Sequence, residues 1–206
     1  MILILRMRIN INILRFAPLL LLGLFGAVAL LGRMLLQLRQ HGSLGLSLFR
    51  GSRRERGMEA AAVLLPLGFV ALAWLAALAP GQLRLWSFAA RPEARLAGAG
   101  WMAAALAAIF VAQLQMGASW RIGIDSTARP GLVTHGLYRF SRNPIYALLL
   151  AALAGFVVLL PTWPSLLLFA GTLATLRVQI SREEAYLLAT YGDEFRAYRR
   201  RVRRFF

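Results

Sequence analysis

The chain has 206 residues, enough for one domain, with 59 % apolar and 16 % charged residues and a mean hydropathy of +0.63. Soluble domains run nearer to about 45–50 % apolar and about 25 % charged, so this chain carries more apolar surface than one small core can hide and reads as an integral membrane protein. A soluble globular enzyme, a disordered chain and a disulfide scaffold are excluded, the last because there is no cysteine.

Five apolar stretches are expected to span the membrane, near residues 11–31, 58–79, 96–116, 145–160 and 163–180; crossing takes about 20 helical residues. The first follows Arg6, Arg8 and Arg15 and could pass for a signal peptide. Its length, and Gly32-Arg33 after it in place of a small-residue cleavage pattern, mark a retained helix. The fourth and fifth are separated only by Pro161-Thr162-Trp163-Pro164. So short a link predicts an antiparallel hairpin, prolines closing one helix and opening the next. Trp86, Trp101, Trp120 and Trp163 fall near the predicted boundaries, where an amphipathic ring is stable.

All twenty-four basic residues are arginine, and the net charge is +16. With five spans, the basic loop 33–57, the loop 117–144 and the tail after Ile180 share one side and hold seventeen arginines, against six on the other. The positive-inside rule then sets the N-terminus outside and the tail in the cytoplasm, as in a bacterial inner-membrane protein. The charge is therefore topological: Arg199-Arg200-Arg201-Val202-Arg203-Arg204 is drawn to anionic membrane lipid. No nucleic-acid partner is expected, because aromatics are not interleaved with the arginines in a base-stacking pattern. The chain divides into three N-terminal spans (1–116) and a polar-rich portion (117–206).

Polar residues concentrate in two pieces flanking the hairpin. The first runs from Trp120 through Asp125 and Leu132 to Tyr146. Gly123, Gly131 and Gly136 permit tight turns near a ligand. Asn143-Pro144 reads as a helix start, Asn as cap and Pro in the first turn, whose free amides suit an anionic group. Arg142 adds a fixed, always-charged fork just upstream. In the second piece, positions 180, 184, 187, 188, 191, 195, 198 and 202 repeat at three- and four-residue steps. All but Glu184 are apolar or aromatic, predicting an amphipathic C-terminal helix, broken at Gly192, that lies against the bundle. Glu184 interrupts that stripe beside Glu183, and an inward carboxylate at membrane depth needs a partner or a purpose. Since the loop before the fourth span and the tail after the fifth emerge on one face, Arg142, Asn143, Tyr146 and the Glu183-Glu184 pair are expected around one cavity. No metal site is indicated.

Leu132-Val133-Thr134-x-Gly136-x-Tyr138, then Arg142-Asn143-Pro144-x-Tyr146, then Glu183-Glu184-x-x-Leu187 with Gly192, Phe195 and Tyr198, resembles the isoprenylcysteine carboxyl methyltransferase family, grouped with the phospholipid methyltransferases. The ordered match covers roughly the last 90 residues. The resemblance implies S-adenosyl-L-methionine on the cytoplasmic side under the C-terminal segment, and a hydrophobic, lipid-like acceptor reached through the bilayer. It carries cofactor contacts onto Leu132, Val133, Gly136, Tyr138, Asn143, Pro144, Ile145, Tyr146 and Glu183. The family's usual histidine before the proline is Asn143 here, and an arginine that eukaryotic members place four residues before the first glutamate is Gln179, with Arg177 or Arg182 as stand-ins.

The implied reaction is in-line methyl transfer, in which positioning supplies most of the catalysis. A carboxylate acceptor, most in keeping with the resemblance, needs no general base, and Arg142 could hold it or the cofactor carboxylate. An amine or hydroxyl acceptor must lose a proton, to His135 or Glu184. Two other classes stay open: an NADPH-dependent membrane reductase of sterol-reductase type, with Arg139 and Arg142 for a nucleotide phosphate, and a non-enzymatic lipid-binding protein. The acceptor's identity and the oligomeric state are not readable.

Overall fold

The computed structural model describes residues 14–42, 44, 53–86, 91–120 and 131–206. These are helical throughout apart from short connections and one isolated bridge pairing Ser141 with Arg203. Helix α1 (Ala17–Phe25) runs through a π-helical stretch, Gly26–Gly32, into α2 (Arg33–His41). Then follow α3 (Arg53–Leu78), α4 (Pro92–Met116), α5 (Pro144–Leu159) and α6 (Trp163–Arg201). Helix is what such apolar runs must form in hydrocarbon, because every backbone donor and acceptor is then satisfied within the segment.

Among the described residues three helical stretches are long and apolar enough to cross a membrane: Ala17–Gln40, Ala60–Leu78 and Pro92–Ser119. The first lies several residues later than the apolar run suggests, so Arg33, expected in a basic loop, sits inside the helix and is 1 % exposed. It donates to the carbonyl of Gly117 at 2.6 Å and lies 4.9 Å from the Trp120 ring centre. A guanidinium against the C-terminal carbonyls of α4 meets the negative end of that helix. Arg95 does the same at the other end of the bundle, donating to the carbonyl of Leu159, the last residue of α5, at 2.9 Å.

Helices α4 and α5 meet backbone to backbone. A Cβ on Gly98 would lie 2.7 Å from the Leu159 amide nitrogen, and one on Gly155 2.8 Å from that of Met102. Small residues let helices approach this closely, and the dispersion attraction between surfaces so near each other holds a bundle together in lipid. Beside the seam, Phe69, Ala73, Met102, Ala152 and Phe156 form a buried core, with Phe69 edge-on to Phe156 at 5.0 Å.

The hairpin forms as the prolines predict. Helix α6 opens with a reciprocal cap: the Ser165 amide donates to the Thr162 hydroxyl and the Thr162 amide to the Ser165 hydroxyl, both at 3.2 Å. Helix α5 has 16 residues, about 24 Å, and α6 has 39, so α6 runs well past the start of its partner. Gly192 breaks α6 with φ 50° and ψ −117°, a conformation other residues resist. Ile180, Glu184, Phe195 and Tyr198 are buried, as the stripe predicts.

The segments expected to share a side do share an end: the Gly117 turn reaches α2, the start of α3 reaches Arg182 of α6, and the tail reaches the loop before α5. The candidate site lies there.

Candidate functional site

The loop from Gly131 to Asn143 is held from three directions. Its Gly131 amide donates to the Tyr191 hydroxyl at 3.2 Å, and its Leu137 amide to the Gln115 side-chain oxygen at 2.7 Å. Residues Gly136–Arg139 form a 3-10 turn. Gly136 heads it at φ 59°, and a Cβ there would run into the Gln115 amide, so the position needs glycine twice over. Tyr138 is buried, and its carbonyl accepts from the Tyr198 hydroxyl at 2.6 Å. Burial raises both phenols, Tyr198 to about 12, so both remain neutral donors at physiological pH.

The tail then lies alongside the loop. The Arg142 amide donates to the Arg203 carbonyl at 2.9 Å, and the Ser141 hydroxyl to the Arg204 carbonyl at 3.2 Å. Side chains complete the closure. Arg142 donates to Glu184 Oε1 through Nε at 3.1 Å and Nη2 at 3.0 Å, and through Nη1 to the Val202 carbonyl at 2.5 Å and the Arg199 carbonyl at 3.3 Å. Arg204 grips the same carboxylate from the other side, Nη2 to Oε2 at 2.7 Å. Glu184 is 6 % exposed. Burial alone would raise its carboxyl; hydrogen bonds and charge from Arg204 and Arg142 outweigh that and hold it below the ordinary range.

Asn143 occupies the N-cap position of α5 and Pro144 the first helical one, as expected, but the cap bond does not form. The Asn143 side-chain amide nitrogen instead donates to Glu184 Oε1 at 3.3 Å and to the Arg204 carbonyl at 3.4 Å, and these contacts across the interface set the orientation of the side chain.

Glu183 faces elsewhere. Its Oε1 accepts from the Tyr146 hydroxyl at 2.5 Å and from the Gln179 amide, four residues earlier on α6, at 2.8 Å. Both partners are neutral. Burial pushes its carboxyl up, and the bonds from Tyr146 and Gln179 offset this only in part.

The structure thus brings these residues together as two sets rather than around one cavity: Arg142 and Asn143, just before α5, contact Glu184, and Tyr146 of α5 contacts Glu183. Leu132 and Val133 are half-buried on the loop, and Ile145 is half-buried in the first turn of α5. His135 is exposed at the head of the 3-10 turn, its carbonyl accepting from the Tyr138 amide at 3.0 Å. Arg177 is exposed, and the Arg182 guanidinium lies 3.5 Å from the Met58 sulfur. Arg121, Asp125 and Arg129 lie outside the described residues. Sequence reasoning missed Arg204, Gln115 and the Tyr198–Tyr138 bond. An inward Glu184 on the arginine-rich side was the signal for a second cationic partner.

Residues 94–194 match the phospholipid methyltransferase family. Over 72 residues the chain is 39 % identical to the protein-S-isoprenylcysteine O-methyltransferase of Schizosaccharomyces pombe, a stretch that covers 34 % of this chain and 30 % of that protein. No solved structure matches the chain. The resemblance carried by Leu132 through Tyr198 therefore stands: both comparisons lead to membrane methyltransferases.

Proposed function

We propose that this chain is an S-adenosylmethionine-dependent methyltransferase of a bacterial inner membrane, acting on a hydrophobic acceptor that bears a carboxylate. The observation that carries the reading is the Glu183 carboxylate, half-buried and supported by Tyr146 and Gln179 without a cationic partner among the described residues. A carboxylate in that state is matched to a ligand that brings positive charge. When bound, S-adenosylmethionine supplies an electrophilic methyl group on a sulfonium.

Glu183 holds the cationic part of that ligand, and Tyr146 and Gln179 fix the carboxylate's direction. Leu132, Val133, Gly136, Tyr138 and Asn143, on a loop that Gln115 and Tyr191 hold in place, make the surrounding wall with Pro144 and Ile145 of α5. Glu184, clamped by two guanidiniums, is too weakly basic to take a proton and instead fastens the tail over the loop. Arg142 serves the same clamp. An acceptor that is already a carboxylate requires no base; for an amine or hydroxyl acceptor the exposed His135 is the group placed to take the proton. Five spans, with α5 and the first half of α6 as the last two, set this end of the bundle in the cytoplasm.

Thermal unfolding of detergent-purified protein with S-adenosylhomocysteine, and separately with NADPH, tests the reading. A ligand at about 100 times its dissociation constant stabilises the fold by about 2.7 kcal/mol. The expected result is a rise in Tm with the first ligand that Glu183→Gln abolishes while its own Tm stays near that of the parent. A rise with NADPH alone overturns the proposal and favours a reductase; with neither, a non-enzymatic lipid-binding role.

A further inference from the structure

The arginine-rich tail does more than carry charge, because the bridge between Ser141 and Arg203 sets it against a second, distant segment. Where the two run together they border an open, shallow hollow of about 440 Å³, lined by Arg139 and Phe140 from the loop and by Arg201, Val202, Arg203 and Phe206 from the tail. Three arginines and two phenylalanines thus border one space. Phe140 and Phe206 are each 57 % exposed, and the Arg139 guanidinium lies 4.8 Å from the Phe140 ring centre.

The buried acid nearby, Glu184, is taken by Arg142 and Arg204, and Asp193 is paired with Arg196 at 2.7 Å. Among the described residues no carboxylate pairs with Arg139, Arg201 or Arg203, so the charge in the hollow is uncompensated by them. Four of the six lining residues lie beyond 194, where the family match stops. The backbones of both walls are also held together, by the Arg142–Arg203 backbone bond and the Tyr198–Tyr138 bond, so the three arginines are carried on segments already set side by side.

We propose that this hollow binds the phosphate-bearing headgroup of an anionic membrane lipid, with Phe140 and Phe206 against the start of its acyl chains. Guanidinium forks match phosphate oxygens, and exposed rings are stable at the boundary between headgroups and hydrocarbon. A free phosphate would use the arginines and leave both rings in water; a lipid uses all five groups. The inference requires only that the bundle sit in a membrane and is independent of the reaction catalysed. Bound there, the lipid also orders residues 201–206, which carry the Arg204 grip on Glu184.

The test is the melting of the full chain in neutral detergent with added short-chain phosphatidylglycerol, phosphatidylcholine or inorganic phosphate. Phosphatidylglycerol is expected to raise Tm by several degrees and the other two to leave it within a degree. The double variant Arg139→Gln/Arg203→Gln should lose that rise, and Arg199→Gln/Arg200→Gln, which removes the same charge outside the hollow, should keep it. An equal rise with phosphatidylcholine or with phosphate overturns the proposal. So does equal loss in both double variants, which is the signature of diffuse attraction. If the first double variant does not fold, Phe206→Ala replaces it: a rise undiminished in that variant counts against the site.

Discussion

Glu183 and Glu184 are neighbours in the chain, yet one helical step of about 100° sends them into opposite surroundings. Glu184 meets two guanidiniums, a carboxamide and almost no water. Glu183 meets a phenol and a carboxamide, both neutral. The first has its charge more than cancelled, and what it does is hold three segments together. The second, half-buried, has no cation among the described residues to balance its charge, and burial of an unbalanced charge costs free energy. An acidic doublet that looks like one feature is two: a fastening and, in the function proposed above, a receptor.

The strongest way to break this contrast is to delete each carboxylate in turn and measure unfolding. Glu184→Ala leaves Arg142, itself nearly buried, and Arg204 facing each other. Removing one partner of a buried pair costs about 3–5 kcal/mol; the half-exposed Arg204 favours the lower end. Glu183→Ala should cost under about 1.5 kcal/mol, the worth of a hydrogen bond or two. Equal losses would mean that the doublet acts as one structural unit. A smaller effect sharpens the receptor half. Tyr146→Phe removes one hydrogen bond to Glu183 and should weaken S-adenosylhomocysteine about tenfold, roughly 1.4 kcal/mol, by calorimetric titration. The Glu184 clamp, and with it Tm, should hardly change; a large fall in Tm would show Tyr146 to be structural.

The smallest effect is in pH. Glu184 has a lowered folded pKa, so its stabilisation is present above the ordinary carboxylate range and is lost as pH falls through the folded value. Glu183 has a raised one, so its contribution is present below the ordinary range and is lost as pH rises through the folded value. Melting curves of Glu183→Gln should therefore lose the decline on the alkaline side, and those of Glu184→Gln the decline on the acid side. Identical pH profiles for the two variants would erase the distinction.

Much of this end of the molecule was legible in the sequence. A four-residue link with two prolines dictates a hairpin, and a hairpin brings the residues before it and after it together. The stripe through Ile180, Glu184, Phe195 and Tyr198 announced an inward carboxylate, and Gly192 announced the break. What could not be read was pairing. Arg142 and Arg204 are 62 positions apart, and nothing local tells either that Glu184 is its partner. Asn143 shows the same limit from the other side: its residue type predicts a helix cap, and the contacts its side-chain amide makes across the interface orient it otherwise. Arg33 and Arg95 were counted with the loops because composition cannot separate a charge in water from one seated on another helix's last carbonyls. Moving one from each side leaves the imbalance of charge as it was.

The contact between Gly98 and Gly155 bears on traffic. Helices that touch through bare backbone leave no crevice between them for an acyl chain. The same pair is tied again near the other end, where Gln115 of α4 holds the turn that leads into α5. A seam fastened at both ends is a wall and not a door, so the hydrophobic acceptor proposed above would have to come to Glu183 along another flank of the bundle.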